Sequence, residues 1–141
     1  MENGNTAYLS LGSNLGPRAW TLQEALFRLN SEAGKLMAIS PVYHAPAWGF
    51  RGNDFLNLCV SLQTKRSPQD LLELLLRIET DFGRERRQSE GYEDRTLDLD
   101  ILYYGDQVVE SPSLILPHPR MHQRAFILKP LADIAPQLYH P

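Results

Sequence analysis

Hydrophobic and polar residues follow two periods along the chain, and these predict four strands and two long helices. Extended segments are expected at residues 7–11, 35–43, 55–63 and 97–104. Apolar residues at helical spacing predict helices over 18–32 and from Pro68 to near Gly83. Two short helical pieces are expected near 121–126 and 128–134, interrupted by Pro130. The order strand-helix-strand-strand-helix-strand predicts an α+β fold of the ferredoxin-like (βαββαβ) type, an antiparallel sheet with helices on one face.

Turn and capping residues set the expected boundaries of these elements. The cluster Gly12–Pro17 predicts a tight turn that ends the first strand, and it lacks the Gly-Lys-Ser/Thr ending of a P-loop. Ser67 followed by Pro68 and Asp70 is typical of a helix start, with the serine at the N-cap. Gly34 is expected to end the first helix.

Composition narrows the class of protein. The 141 residues predict one domain, 1–141, and 14 basic against 17 acidic residues give a net charge of −3, which excludes a broad cationic face for nucleic acid or membranes. Cys59 is the only cysteine, so neither an intrachain disulfide nor a four-cysteine zinc site can form, and its apolar neighbours indicate a core residue. With neither a signal peptide nor a long apolar run, a cytoplasmic protein is expected.

The segment Arg95–Leu102 carries the sharpest chemical feature, because two aspartates alternate there with apolar residues. In a strand, Asp98 and Asp100 point to the same face, about 7 Å apart, while the apolar residues between them face the core. Like charges on one face repel, and Mg²⁺, which takes carboxylates together with substrate phosphates, offsets that cost. The alternative is an exposed polar face that binds nothing.

The highly charged segment 84–94 before this strand predicts an exposed loop. It contains Arg84, Arg86 and Arg87 and is followed by Arg95, and arginine binds phosphate oxygens bidentately. Acidic residues in the same loop leave open a solvated, salt-bridged surface segment. Beside an acidic metal pair, however, the arginines indicate a polyphosphate held between them.

Histidine and aromatic residues give weaker signals. His118 lies between two prolines, whose rigidity makes a freely swinging base unsuitable, so it either holds a phosphate or nucleotide or is an ordinary surface histidine. Trp48, Phe55 and Phe126 lie near predicted loop or strand ends, and by position alone each is more often a core residue than a ligand platform.

Together these motifs resemble the 6-hydroxymethyl-7,8-dihydropterin pyrophosphokinase family of folate biosynthesis. Four segments carry the resemblance, which covers the chain from about Thr6 to Pro136: residues 8–14, 95–102, 117–121 and 130–136. It implies a ferredoxin-like fold with an added C-terminal helical portion. It also implies transfer of a diphosphate from ATP to the pterin hydroxymethyl group with release of AMP, with two Mg²⁺ ions as cofactors and ATP as co-substrate. A monomer is expected, with no nucleic acid or membrane partner.

The resemblance assigns roles residue by residue. Asp98 and Asp100 match the positions that bind the two Mg²⁺ ions, and Arg84 and Arg95 match the catalytic arginines that close on the phosphates. The positions that match ATP contacts are Arg86, His118 and Arg124. Those that match pterin contacts are Ala45, Pro46, Trp48, Phe55, Asn57 and Phe126. The two phenylalanines match the aromatics that sandwich the ring, and the Asn57 amide matches the group that bonds its edge.

Three departures from the family pattern stand out. Ala45 replaces the usual threonine, although the contact there is expected from the backbone, and Trp48 replaces a smaller apolar residue. The usual Trp-Gly-Pro of the loop is here Tyr92-Glu93-Asp94, so the lid aromatic would be Tyr92.

The alternative function is a non-catalytic ferredoxin-like module that binds nucleotide or pterin and has lost its lid. An RNA-binding module is disfavoured because the basic, aromatic-bearing strand is missing.

Overall fold

The computed structural model describes residues 4–45, 54–83, 96–119 and 125–135, and of Ala45, Ala125 and Phe126 it describes the backbone alone. The strands are β1 (Asn5–Ser13), β2 (Lys35–Ile39), β3 (Tyr43–Ala45), β4 (Phe55–Thr64), β5 (Asp98–Tyr104), β6 (Val109–Glu110) and β7 (Ile115–Leu116). The main sheet has the order β2-β4-β1-β5, with antiparallel neighbours, and β3 pairs with the start of β4. Strands β6 and β7 form a separate two-stranded sheet.

Three helices complete the described part: α1 (Arg18–Arg28), α2 (Pro68–Asp81) and α3 (Ala125–Ile134). The first continues into a π-helical turn, Leu29–Ala33, and stops at Gly34 as predicted. The second begins as predicted, because the Ser67 Oγ accepts a hydrogen bond from the Asp70 backbone N–H at 3.1 Å. No helix in the described ranges is both long and apolar enough to span a bilayer.

The two long helices pack on one face of the sheet, as the pattern predicted. Alternate residues of β1, β4 and β5 point to this face and form the main core with the apolar stripes of α1 and α2. Its members from the three strands are Ala7, Leu9, Leu11, Leu58, Val60, Leu62, Leu99, Ile101 and Tyr104. The side chains between them in sequence therefore point to the opposite face.

The added C-terminal helix packs on that opposite face. Ile127 and Leu131 of α3 form a second cluster with Cys59, Leu102 and Tyr103. The Cys59 thiol donates to the Ile127 carbonyl at 3.7 Å, and burial raises its pKa to about 12. Cys59 is therefore the buried core residue that its apolar neighbours predicted.

A bulge in the β1–β5 pairing arranges the two clusters. Leu9 pairs with Ile101, but Tyr8 pairs with Tyr103, so Leu102 is the extra residue on β5. As a result Leu102 and Tyr103 both join the α3 cluster, and Tyr104 returns to the main core.

Three sequence predictions were wrong. Residues 35–43 do not form one strand, because β2 ends at Ile39 and β3 begins at Tyr43, and the two strands pair with different parts of β4. Gly12 does not begin a turn: β1 runs on to Ser13 because β4 and β5 pair with it on both sides at this position. Pro130 does not interrupt the C-terminal helical segment, since it lies inside the single helix α3, where Ile127 and Leu131 on either side of it are held against the sheet. Residues 121–124 of the first predicted piece lie outside the described residues.

Candidate active site

The two aspartates lie on the sheet face that α3 partly covers. Leu99 and Ile101 are buried in the main core, so Asp98 and Asp100, which alternate with them, point the other way, as predicted. Both aspartates are half-buried. The apolar α3 cluster covers one part of this face, and the aspartates lie on the part next to it.

Strand pairing brings residues from three strands into one row across this face. Gly12 in the central strand pairs with Asn57 of β4 on one side and with Asp98 of β5 on the other. In the next row Ser10 pairs with Cys59 and Asp100. Two strand spacings separate the Cα atoms of the outer residues of a row, roughly 10 Å.

Asn57 is almost fully buried, at 3% exposure, yet its Nδ2 has no hydrogen-bond partner within the described part of the chain. Its Oδ1 lies 2.6 Å from where a Cβ on Gly12 would be, so the amide lies over the central strand. Phe55 is half-buried beside it, with a ring carbon 3.5 Å from the same point. The backbone of Ala45 pairs with Phe55, so the predicted pterin residues Ala45, Phe55 and Asn57 are neighbours.

The donor set of the aspartate pair suits Mg²⁺. The described residues include no group of three or more histidine, cysteine, aspartate or glutamate side chains that could enclose a metal ion. Mg²⁺ commonly takes one or two carboxylates and fills its other positions with water and substrate phosphates. Two carboxylates on one strand face therefore fit a metal that arrives with a phosphorylated substrate.

His118 lies beside the aspartate strand. Its backbone N–H donates to the Leu102 carbonyl at 2.9 Å, which holds the 117–119 segment against β5 two residues beyond Asp100. The backbone of Phe126 lies in the first turn of α3, next to Ile127, whose carbonyl accepts from Cys59. Helix α3 is also tied to β3, because the Tyr43 hydroxyl donates to Asp133, which raises the pKa of Tyr43.

Eight of the candidate functional residues named from the sequence lie outside the described residues: Arg84, Arg86, Arg87, Arg95, Arg124, Pro46, Trp48 and Tyr92. Their roles stay predictions. The structure therefore brings together the aspartate pair, the Asn57 amide, the Phe55 ring and the segment that contains His118.

Sequence reasoning missed Glu79 and misread Gly12. Glu79 of α2 is 2% exposed, and its carboxylate accepts the backbone N–H of Leu99, between the two aspartates, at 2.7 Å. A glycine among strand residues is a recognised sign of close approach, and that signal could have identified Gly12. For Glu79 the pattern offered no such signal, because it is a glutamate in an amphipathic helix.

A polar cavity of about 320 Å³ lies at this end of the sheet, lined by Asn14, Gly16, Arg18, His44 and Asp54. Asp54 organises it. Its carboxylate lies 3.2 Å from the His44 Nε2, and its backbone carbonyl accepts from the Arg18 guanidinium at 2.6 Å. These contacts fix the start of β4 just before Phe55.

Comparison with known proteins matches residues 8–136 to the family described as 7,8-dihydro-6-hydroxymethylpterin-pyrophosphokinase (HPPK). A 2-amino-4-hydroxy-6-hydroxymethyldihydropteridine pyrophosphokinase of Porphyromonas gingivalis is 45% identical over 137 residues, covering 95% of this chain and 92% of the relative. A folic acid synthesis protein of Pneumocystis carinii, fol1, is 38% identical over 140 residues, covering 99% of this chain and 19% of that much longer protein.

Solved structures share the fold. The wild-type HPPK-DHPS of Plasmodium falciparum, crystallised with pterin and p-hydroxybenzoate, aligns with a TM-score of 0.77 at 19% identity, covering 96% of this chain and 40% of that one. A second HPPK-DHPS structure, in complex with substrates, gives a TM-score of 0.79 at 16% identity, with coverages of 98% and 41%. This chain spans about two-fifths of the length of those solved chains, and at such identities the likeness shows the fold alone.

Proposed function

Because the chain belongs to the 7,8-dihydro-6-hydroxymethylpterin-pyrophosphokinase family, we propose that it transfers a diphosphate from ATP to the hydroxymethyl group of 6-hydroxymethyl-7,8-dihydropterin and releases AMP, as a step of folate biosynthesis. The observation that carries the proposal is the row Asn57–Gly12–Asp98, which sets an amide and a carboxylate on one sheet face. We assign the activity to residues 1–141 acting as a single domain and as a monomer.

We further infer the ferredoxin-like arrangement of the sheet. In the order β2-β4-β1-β5 each strand is antiparallel to its neighbours, so β1 and β2 run parallel with β4 between them. Likewise β4 and β5 run parallel with β1 between them. Two such interleaved strand-helix-strand units are the split βαβ pattern.

The proposed metal site uses the carboxylates of Asp98 and Asp100, with two Mg²⁺ ions bound together with ATP. When bound, Mg²⁺ neutralises phosphate charge and polarises the phosphorus under attack. The role of the chain is to fix both carboxylates on one rigid strand, so that the phosphates are held at one end of the Asn57–Gly12–Asp98 row.

The proposed pterin site occupies the other end of that row. The Asn57 amide offers both a donor and an acceptor to the edge of the ring, and the ring stacks between Phe55 and Phe126. Ala45, Pro46 and Trp48 would supply contacts from the adjoining segment. The substrate hydroxymethyl oxygen then faces the aspartates. It bonds to the β-phosphorus and releases its proton to solvent, while the bond from that phosphorus to the oxygen bridging to the α-phosphorus breaks and AMP leaves with that oxygen.

The proposed phosphate contacts come from arginines and one histidine. Arg84 and Arg95 would stabilise the charge that develops on the transferred diphosphate, and Arg86, His118 and Arg124 would hold ATP. The backbone bond from His118 to Leu102 supports this role for the histidine, since it keeps that segment beside the aspartate strand.

The test is an assay of nucleotide products with ATP, Mg²⁺ and the hydroxymethyl pterin together. We expect AMP in equal amount to the pyrophosphorylated pterin, and no AMP when any one component is left out. ADP as the product would refute diphosphate transfer. Binding of a non-hydrolysable ATP analogue and of pterin, without product from the true substrates, would instead indicate the non-catalytic module.

Variants of the aspartates test the metal site. Asp98→Ala and Asp100→Ala should each lower kcat by several orders of magnitude, because each removes a metal ligand. Asp106→Ala is the matched control: it removes an exposed carboxylate from the turn just after β5 and should retain normal turnover. Near-normal kcat in both aspartate variants would overturn the metal assignment.

A further inference from the structure

The backbone conformation at Gly12 does not require a glycine. It lies within β1, paired on both sides, and it is not among the described glycines with positive φ, which are Gly4, Gly16, Gly83 and Gly105. An L-residue can adopt the same strand conformation. The reason for glycine at this position must therefore lie in what a side chain would meet.

A Cβ on Gly12 would meet the Asn57 amide. The Asn57 Oδ1 would lie 2.6 Å away, inside the 3.0 Å below which Cβ contacts are essentially absent from real proteins. The next neighbour, the Phe55 ring, would lie at an ordinary contact distance of 3.5 Å. Only the end of one side chain therefore stands in the way.

This distinguishes Gly12 from glycines that the fold needs. A Cβ on Gly34 would lie 2.1 Å from the Gln63 backbone carbonyl oxygen, and one on Gly4 would lie 2.1 Å from that of Thr64. Those clashes could be relieved only by moving a strand. The clash at Gly12 is relieved when the Asn57 amide rotates, so the sheet tolerates alanine there but the amide loses its position.

The Asn57 amide has the features of a ligand contact. The side chain is 3% exposed, and its Nδ2 has no partner within the described residues. A buried donor without an acceptor costs about 1–3 kcal/mol, so a polar ligand edge that accepts from it would bind favourably. The amide leans over β1, which is the direction of β5 and of Asp98.

We propose that Gly12 is a positioning residue for the pterin: its missing side chain lets the Asn57 amide lie over β1, so that a flat heterocycle bound to this amide extends along the row toward Asp98. The inference rests on the proposed function, because it takes the pterin as the ligand of that amide. Gly12 acts through Asn57 and has no chemical role of its own.

The first experiment compares Gly12→Ala with the wild-type enzyme. We expect the KM for the pterin to rise about tenfold to a hundredfold, as for one or two lost hydrogen bonds, while the KM for ATP stays within about twofold. The midpoint of urea unfolding should stay near that of the wild type. An unchanged pterin KM, or equal increases for both substrates, would overturn the proposal.

A double-mutant cycle tests whether Gly12 acts through the amide. Asn57→Ala alone should raise the pterin KM, and adding Gly12→Ala to it should raise the KM by less than about twofold more, because the clashing oxygen is gone. Losses that multiply in the double variant would show that Gly12 touches the substrate directly, which contradicts a positioning role.

A measurement without turnover separates this inference from the proposed function. The side-chain NH₂ signals of Asn57 in NMR spectra of the free protein should shift in Gly12→Ala, and pterin should perturb them in the wild type. An active wild type with unmoved Asn57 signals in Gly12→Ala refutes the inference alone. A wild type that neither releases AMP nor binds pterin refutes both the inference and the proposed function.

Discussion

The Glu79 side chain provides a hydrogen-bond partner for the backbone of β5 at Leu99, where no neighbouring strand in the described part of the chain does so. In the described sheet β5 lies at the end of the strand order, with β1 on its other side. The backbone N–H of Leu99 donates to the Glu79 carboxylate at 2.7 Å, and both residues are almost fully buried, at 5% and 2% exposure. The side chain from α2 thus replaces a neighbouring strand at the residue between the two aspartates.

Replacing this acceptor leaves a buried donor unpaired. Glu79→Leu has a similar size and cannot accept, so the free energy of unfolding should fall by about 1–3 kcal/mol, the usual cost of such a group. Glu79→Gln keeps an amide oxygen that can accept from Leu99, so it should lose less. Because the lost bond lies between Asp98 and Asp100, Glu79→Leu should also lower kcat more than Glu79→Gln does.

Urea unfolding followed by circular dichroism measures the stability difference, since a single small domain usually unfolds in one transition. A loss of this size shifts the midpoint by roughly 0.5–2 M urea. Glu73→Leu is the matched control on the same helix, because Glu73 is exposed, and it should change stability by no more than about 0.5 kcal/mol. Glu79→Leu and Glu73→Leu with equal midpoints would refute the role given to Glu79.

Two further predictions concern stability. Ser67→Ala removes the acceptor for the Asp70 N–H at the start of α2 and should cost about 1 kcal/mol in urea unfolding, whereas Ser67→Asn keeps an acceptor and should recover most of it; equal losses in both would contradict the capping role. Burial raises the pKa of Cys59 from 9.0 to about 12, so only the unfolded chain loses this proton as the pH rises from 9 toward 12, and the free energy of unfolding should fall over that range. Cys59→Ala should lack this part of the decline, and identical pH profiles for the two proteins would refute it.

The aspartate face was predictable because a strand has a strict period of two. Leu97, Leu99 and Ile101 are all buried, and this alone fixes which way Asp98 and Asp100 point. The start of α2 was equally readable, since Ser67 and Pro68 act within one helical turn. Both features depend on residues close together in sequence.

Features that depend on pairing between distant segments were not readable in the same way. Gly12 stands in a run of turn-forming residues, and only pairing with β4 and β5 makes it part of a strand. Pro130 interrupts a helical pattern, and only packing of α3 against the sheet keeps one helix through it. For the same reason no local pattern marked Glu79, whose role depends on where α2 docks beside β5.

The register of β1 with β4 and β5 determines which side chains meet at the site. A slip of one residue between β1 and β4 would place Leu11 or Ser13 opposite Asn57, and the side chains of both point to the helix face. The bulge at Leu102 lies beyond Asp100, on the side away from Asp98, so the pairing of β1 with Asp98 and Asp100 stays regular. Changes in the bulge should therefore disturb the α3 cluster before they disturb the row. The row depends instead on the continuous pairing of β1 through residue 12. The glycine at that position, in our proposal, leaves room for the Asn57 amide that orients the pterin along the row.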